Sequence, residues 1–115
     1  MCGFAGFTGY LENGNDVLTN MMNKIIHRGP DSAGQYIDDK AYMGFRRLSI
    51  IDLDNGSQPM FNENKKIVIT FNGEIYNYQD LRKELIEKGH IFANNSDTEV
   101  LIHAYEEYGE DMLNK

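Results

Sequence analysis

Cysteine occurs once in the 115 residues, at Cys2, so no internal disulfide can form. Histidine occurs three times (His27, His90, His103), scattered without the spacing of metal ligands, and no metal site is expected. Basic runs do not extend beyond Lys65-Lys66 and Arg46-Arg47, and 11 basic residues face 18 acidic ones, a net charge of −7. That balance argues against partners such as nucleic acid or an anionic membrane surface. No apolar run approaches the ~20 residues of a membrane span. No basic stretch leading into an apolar one marks a signal peptide. These absences lead us to expect a soluble cytoplasmic protein.

What is present suits a folded chain: 41% hydrophobic residues, with seven Tyr and six Phe. The length predicts about one domain with a single core. Cys2 to Phe7 is apolar and punctuated by Gly3 and Gly6, which predicts a buried strand. Val17, Met21, Ile25 and Leu18, Met22, Ile26 form two rows spaced by four, one apolar face of a helix capped by Asn15 or Asp16 and ended by Pro30. Residues 35–51 read as two strands joined at Asp38-Asp39-Lys40. Ile67 to Phe71 reads as a strand buried on both faces. Leu81, Leu85 and Ile86 mark a helix stopped by Gly89, and His90 to Ala93 a short strand. Ser96-Asp97-Thr98-Glu99 has the form of a capping box, opening a helix that ends near Gly109. A further helix starts in residues 110–115. The pattern is α+β, with helices outside buried sheet.

Cys2 follows Met1 directly. With Met1 removed, one residue carries both a thiol and a free α-amine, and such an amine titrates near ~7.7–8.0, low enough to accept a proton at neutral pH. A thiol needs only a nearby base to act as a nucleophile. Burial as a small apolar residue on a strand is the competing reading.

Four polar clusters interrupt the apolar pattern. His27-Arg28-Gly29-Pro30-Asp31 follows the first helix, and we assign it mainly to shaping a pocket. Arg46 and Arg47 face opposite sides if they lie on a strand, so one guanidinium can grip a carboxylate with its bidentate fork. In Phe71-Asn72-Gly73-Glu74, Asn-Gly is either a hairpin turn or a pair of convergent N–H donors for an oxyanion, with Glu74 adding a carboxylate. Ser96 and Glu99 suit a helix cap; Asp97 either favours the helix N-terminus or binds a substrate ammonium. Together with Cys2 these groups suit a zwitterionic amino acid bearing a carbonyl to be attacked.

The ordered set Met1-Cys2-Gly3-Phe4-Ala5-Gly6-Phe7, His27 to Ser32, Arg47-Leu48-Ser49-Ile50-Ile51-Asp52, Asn72 to Asn77 and Ser96 to Val100 resembles class II glutamine amidotransferase domains. Within that class it is similar to the glutamine-hydrolysing asparagine synthetases. The resemblance implies an N-terminal-nucleophile hydrolase fold, stacked and mainly antiparallel sheets flanked by helices (an αββα sandwich), incomplete in this chain. Residues 1–115 would be the N-terminal part of a glutaminase domain, with the synthetase domain absent. Cys2 is then implied as the nucleophile toward L-glutamine, with its own α-amine as base and a thioester as intermediate. Asn72 and Gly73 are implied as oxyanion donors. Arg47 would hold the α-carboxylate with help from Leu48, Ser49, Ile50 and Ile51, and Glu74 and Asp97 the α-ammonium. A retained Met1 would turn the base into an amide and block this chemistry. ATP and Mg²⁺ are implied only for the absent synthetase domain, where aspartate would accept the ammonia; this fragment itself is expected to need no cofactor. Unpaired sheet edges would favour self-association, so a homo-oligomer is also entertained. Three alternatives stand beside this reading: an amidotransferase acting on another carboxylate, a non-catalytic glutamine-binding fragment, and a Cys-His enzyme using His27 or His103.

Overall fold

The computed structural model describes residues 1–48 and 56–115. The chain is α+β with antiparallel sheets, and it divides into two compact units where length alone suggested one core. The first unit comprises residues 1–59 and 70–72, the second residues 60–69 and 73–115.

In the first unit, β1 (Gly3–Thr8), β2 (Ser32–Ile37) and β3 (Ala41–Arg47) form an antiparallel sheet in the order β1-β3-β2. The turn between β2 and β3 is built by Asp38. Its Oδ1 accepts from the backbone N–H groups of Lys40 and Ala41, both at 2.7 Å, and its Oδ2 accepts from the Tyr36 hydroxyl at 2.6 Å. Chiefly the Tyr36 bond, then the two amides, hold the Asp38 carboxyl below the usual range, and the same bond raises Tyr36. Helix α1 (Gly14–Lys24) lays Leu18 and Met22 on Tyr42 of β3, and Phe7 stacks on the same ring at 4.4 Å. The two rows spaced by four therefore do bury a helix face. The helix starts at Gly14, one turn's edge before the expected Asn15 or Asp16 cap, and Asn13 at the cap position makes no side-chain bond.

In the second unit, β4 (Met60–Phe61) pairs with β5 (Val68–Ile69), and α2 (Tyr78–Glu87) packs on α3 (Asp97–Tyr108) through Leu85, Val100 and Ala104. A 3₁₀ turn over Gly109–Asn114 follows. The expected strand from Ile67 to Phe71 is cut to two residues, half-buried rather than buried on both faces. Phe71 cannot extend it, because both its backbone groups are taken by a side chain (below). The expected strand at His90 to Ala93 does not form. His90 N–H goes to Leu85 O at 3.0 Å, and at the far end Arg82 Nη1 donates to Asn94 O at 2.8 Å with its guanidinium 4.4 Å over the Phe92 ring. Glu99 accepts from the Ala93 and Asn94 N–H groups at 2.7 and 2.8 Å. The capping box is thus half realised. Ser96 Oγ accepts from Glu99 N–H at 3.2 Å, but the Ser96 N–H goes to Asn94 Oδ1, freeing Glu99 to reach further back.

No helix among the described residues is long and apolar enough to cross a membrane.

Candidate functional site

Register places the cysteine. Gly3 opens β1 opposite Arg46, so the register carries Cys2 to the level of Arg47 at the end of β3, next to Leu48. Leu48 N–H donates to Cys2 Sγ at 3.4 Å, and the thiol reaches Leu48 O at 3.8 Å. The half-buried sulfur is thereby held between the two backbone groups of one residue. Met1, in contrast, is 75% exposed, so its removal would leave no cavity.

The Cys2 carbonyl oxygen collects two donors, Asn72 Nδ2 at 2.9 Å and Arg28 Nε at 3.1 Å. A carbonyl has two lone pairs, so this pair satisfies it and fixes the peptide plane next to the thiol. Asn72 is therefore not a hairpin residue: no strand follows it, and the chain turns through Ile75 into α2, with Tyr78 N–H bonding Ile75 O at 3.2 Å. Its carboxamide has two N–H groups, of which Cys2 O takes one.

The segment 27–31 packs against the end of β3 beside Cys2. Gly29 lies against the end of β3; a Cβ there would be 2.5 Å from Arg47 N and closer still to Arg46 C and O. Arg46 Nε donates to Gly29 O at 3.0 Å, and Asp31 N–H donates to Arg47 O at 3.0 Å. Arg46 is thus tied to this segment through Nε. Arg47, its neighbour on the strand, lines a cavity of about 100 Å³ together with Ser32, Gly34, Phe45 and Gln58. Ser49, Ile50 and Ile51 lie outside the described residues, as does Asp52.

Two contributors escaped the sequence reading. Arg28 was read only as part of a pocket-shaping segment, not as a donor to Cys2 O. Gln58 received no reading from the sequence. Its side-chain Oε1 accepts from Phe71 N–H at 2.6 Å and its Nε2 donates to Phe71 O at 3.0 Å.

Gly73, Glu74 and Asp97 belong to the second unit. Asp97, first residue of α3, accepts from Ile75 N–H through Oδ2 at 3.1 Å, which ties it to the residue after Glu74. Glu74 itself is exposed and Asp97 half-buried. Also in this unit, His90 and His103 are brought to 5.2 Å between ring centroids, although their sequence separation gave no such sign. One ligand atom from each of them and from Glu106 fall within 4.8 Å of one another. All three side chains already have partners: His103 lies 3.0 Å from Glu106 and 3.4 Å from Glu99, and His90 lies 2.8 Å from Glu107. His27 is exposed.

Comparison with known proteins adds the following. A family model described as a glutamine amidotransferase domain matches residues 1–115. Asparagine synthetase (glutamine-hydrolyzing) 1 of Bacillus subtilis (strain 168) is 46% identical over 120 residues, covering 100% of this chain and 19% of the relative. The protein of the same printed name from Arabidopsis thaliana is 43% identical over 116 residues, covering 98% and 20%. A second Bacillus subtilis asparagine synthetase (glutamine-hydrolyzing) is 45% identical over 114 residues, covering 95% and 15%. The chain spans about a fifth of the length of these curated relatives.

Proposed function

The chain belongs to the glutamine amidotransferase domain family, and from that premise we propose that it hydrolyses L-glutamine to glutamate and ammonia with Cys2 as nucleophile. The observation that carries this reading is the meeting of Cys2 with Asn72, residues 70 positions apart, through the 2.9 Å bond from Asn72 Nδ2 to Cys2 O.

The chemistry follows from the groups in hand. Loss of Met1 frees the Cys2 α-amine, which takes the thiol proton, through a water if the two do not meet directly. The sulfur adds to the glutamine carboxamide carbon, and the negative oxygen is met by the remaining Asn72 N–H and the Gly73 N–H. Collapse expels ammonia, which carries the proton from the amine. Water then cleaves the thioester to glutamate and regenerates the thiol. Arg47 pairs with the substrate α-carboxylate, assisted by Leu48, Ser49, Ile50 and Ile51, while Glu74 and Asp97 take the α-ammonium.

We also propose that the ammonia serves a synthetase in a longer protein, converting aspartate to asparagine as the relatives' names indicate. ATP and Mg²⁺ would act there; no residue of this chain is assigned to them and no step above passes through them. An acceptor other than aspartate, or glutamine binding without turnover, are the alternatives to be separated.

The test is glutamate release from glutamine by chain freed of Met1, with mass spectrometry confirming the removal. We expect turnover in the parent, none with Cys2→Ala, and a loss on the order of 10²–10³-fold in kcat with Asn72→Ala. Cys2→Ala as active as the parent would sink the mechanism. Retention of bound glutamine without release would favour the binding fragment. Loss of turnover in His27→Ala or His103→Ala with a free α-amine would favour a Cys-His enzyme.

A further inference from the structure

We propose that Gln58 is a positioning residue, which sets the Asn72 carboxamide against Cys2 by clamping the residue before it, and that position 34 is glycine to admit Gln58. The inference deepens the proposed glutaminase reading and rests on it for its kinetic consequence.

Residues 70–72 belong with the first unit although the chain on either side belongs with the second. Such a short excursion needs anchors. Gln58 supplies one by taking both backbone groups of Phe71, at 2.6 and 3.0 Å. A carboxamide offers one acceptor and a donor side by side, so it can imitate the paired N–H and C=O that a neighbouring strand would present. The second anchor is the adjacent Asn72, whose Nδ2 donates to Cys2 O. With both backbone groups of Phe71 fixed, the direction in which the chain enters Asn72 is fixed too, and its carboxamide has only the φ of Asn72 and the side-chain torsions left to settle.

Gln58 is itself located by β2. A Cβ on Gly34 would overlap Gln58 O and lie 3.2 Å from Pro59 Cδ. Gly34 is outside the left-handed region, so glycine is needed there for space and not for conformation. Any side chain at that position pushes the Gln58 backbone outward and draws its carboxamide off Phe71. A path of contacts therefore runs from Gly34 through Gln58 and Phe71 to Asn72 and the nucleophile.

The experiment uses the chain freed of Met1 and compares Gln58→Met, Gln58→Glu and Asn72→Ala, with the Asn72 side-chain amide observed by NMR. Gln58→Met keeps length and loses both bonds. We expect faster hydrogen exchange at the Phe71 amide, a displaced Asn72 side-chain resonance, and kcat lower by about 10- to 100-fold with KM within about threefold, as for a misplacement near 1 Å. Adding Gln58→Met to Asn72→Ala should cost little more, because both act through one group. Gln58→Glu, which keeps the acceptor and the size, covers the case in which Gln58→Met does not fold. Its loss relative to the parent should shrink as pH is lowered through the carboxyl range, where the protonated group can again donate to Phe71 O. An Asn72 side-chain resonance unmoved by both Gln58 variants would overturn the proposal. So would parental kcat in Gln58→Met where Asn72→Ala has lost it. If Asn72→Ala keeps full activity, the oxyanion reading of Asn72 fails, and the clamp is then decided by the Asn72 resonance alone.

Discussion

Gly29→Ala is the substitution from which the packing of the corner around Cys2 can be measured. The residue is buried, its backbone is not in the left-handed region, and the added methyl would stand 2.5 Å from Arg47 N and closer to the Arg46 carbonyl. Atoms of this kind sit comfortably at about 3.5–4.0 Å, so segment 27–31 must lift by roughly 1 Å from the end of β3. No rotamer change relieves this, since the obstruction is backbone. Overpacking of that sort costs about 1–3 kcal/mol. Lifting the segment also stretches the Arg46 Nε–Gly29 O and Asp31 N–Arg47 O bonds, both now 3.0 Å, at about 1 kcal/mol each. The sum is about 3–5 kcal/mol, a large part of the ~5–15 kcal/mol that holds an ordinary domain folded. With urea slopes of about 1–3 kcal/mol per M, the midpoint should fall by about 1–5 M. Amide exchange localises the effect: β3 should lose protection, while α2 and α3 of the second unit serve as an internal reference. A change below about 0.5 kcal/mol, with Arg46 and Arg47 amides protected as before, would refute the claim that close backbone approach fixes this residue as glycine.

Other consequences can be checked in parallel. Leu85→Ala removes a side chain that is 0% exposed in the second unit, and should cost about 2–5 kcal/mol in urea unfolding followed at α2 and α3. Glu99→Gln leaves one acceptor where two N–H groups, of Ala93 and Asn94, now share a carboxylate; melting should reveal a loss of about 2 kcal/mol. Asp97→Asn keeps an acceptor for Ile75 N–H but removes the charge proposed for the substrate ammonium. KM for glutamine should therefore rise about tenfold or more with little change in melting temperature. The Tyr108 hydroxyl donates to Glu84, which pushes the tyrosine up to about 12 and holds the carboxyl low, with Lys115 and Lys88 assisting the latter. The tyrosine's contribution is present below its ordinary ~10 and lost as pH rises through about 12; the carboxyl's is present above its ordinary ~4.3 and lost as pH falls through the lowered value. Tyr108→Phe should return the Glu84 titration, followed by NMR, toward the ordinary range, and an unchanged titration would disprove the coupling.

Periodicity revealed most of the fold because most of it is local. Leu18 and Met22 bury the face that their spacing announced, and Gly109 ends α3 where expected. The failures share a cause. At Phe71, and at Ala93 and Asn94, side chains of Gln58 and Glu99 take the backbone bonds that a neighbouring strand would otherwise supply. Apolar, β-branched or aromatic composition predicts extended backbone but says nothing of who will bond it, so two expected strands shrank or vanished.

The site follows the same division. The groups proposed for it could be named from the sequence because each is a single position: a thiol at residue 2, an amide and a glycine at 72 and 73. Its assembly could not, because the donors on Cys2 O come from 26 and 70 residues away and neither leaves a periodic trace. The lost strand and the assembled site are one event. Had Phe71 continued β5 into a ladder, its N–H and C=O would have been committed to a neighbouring strand. Bonded to a single side chain instead, Phe71 leaves the sheet and carries Asn72 to the cysteine. An amide side chain that ends a strand early is therefore the feature that most directly joins this fold to the chemistry proposed for it.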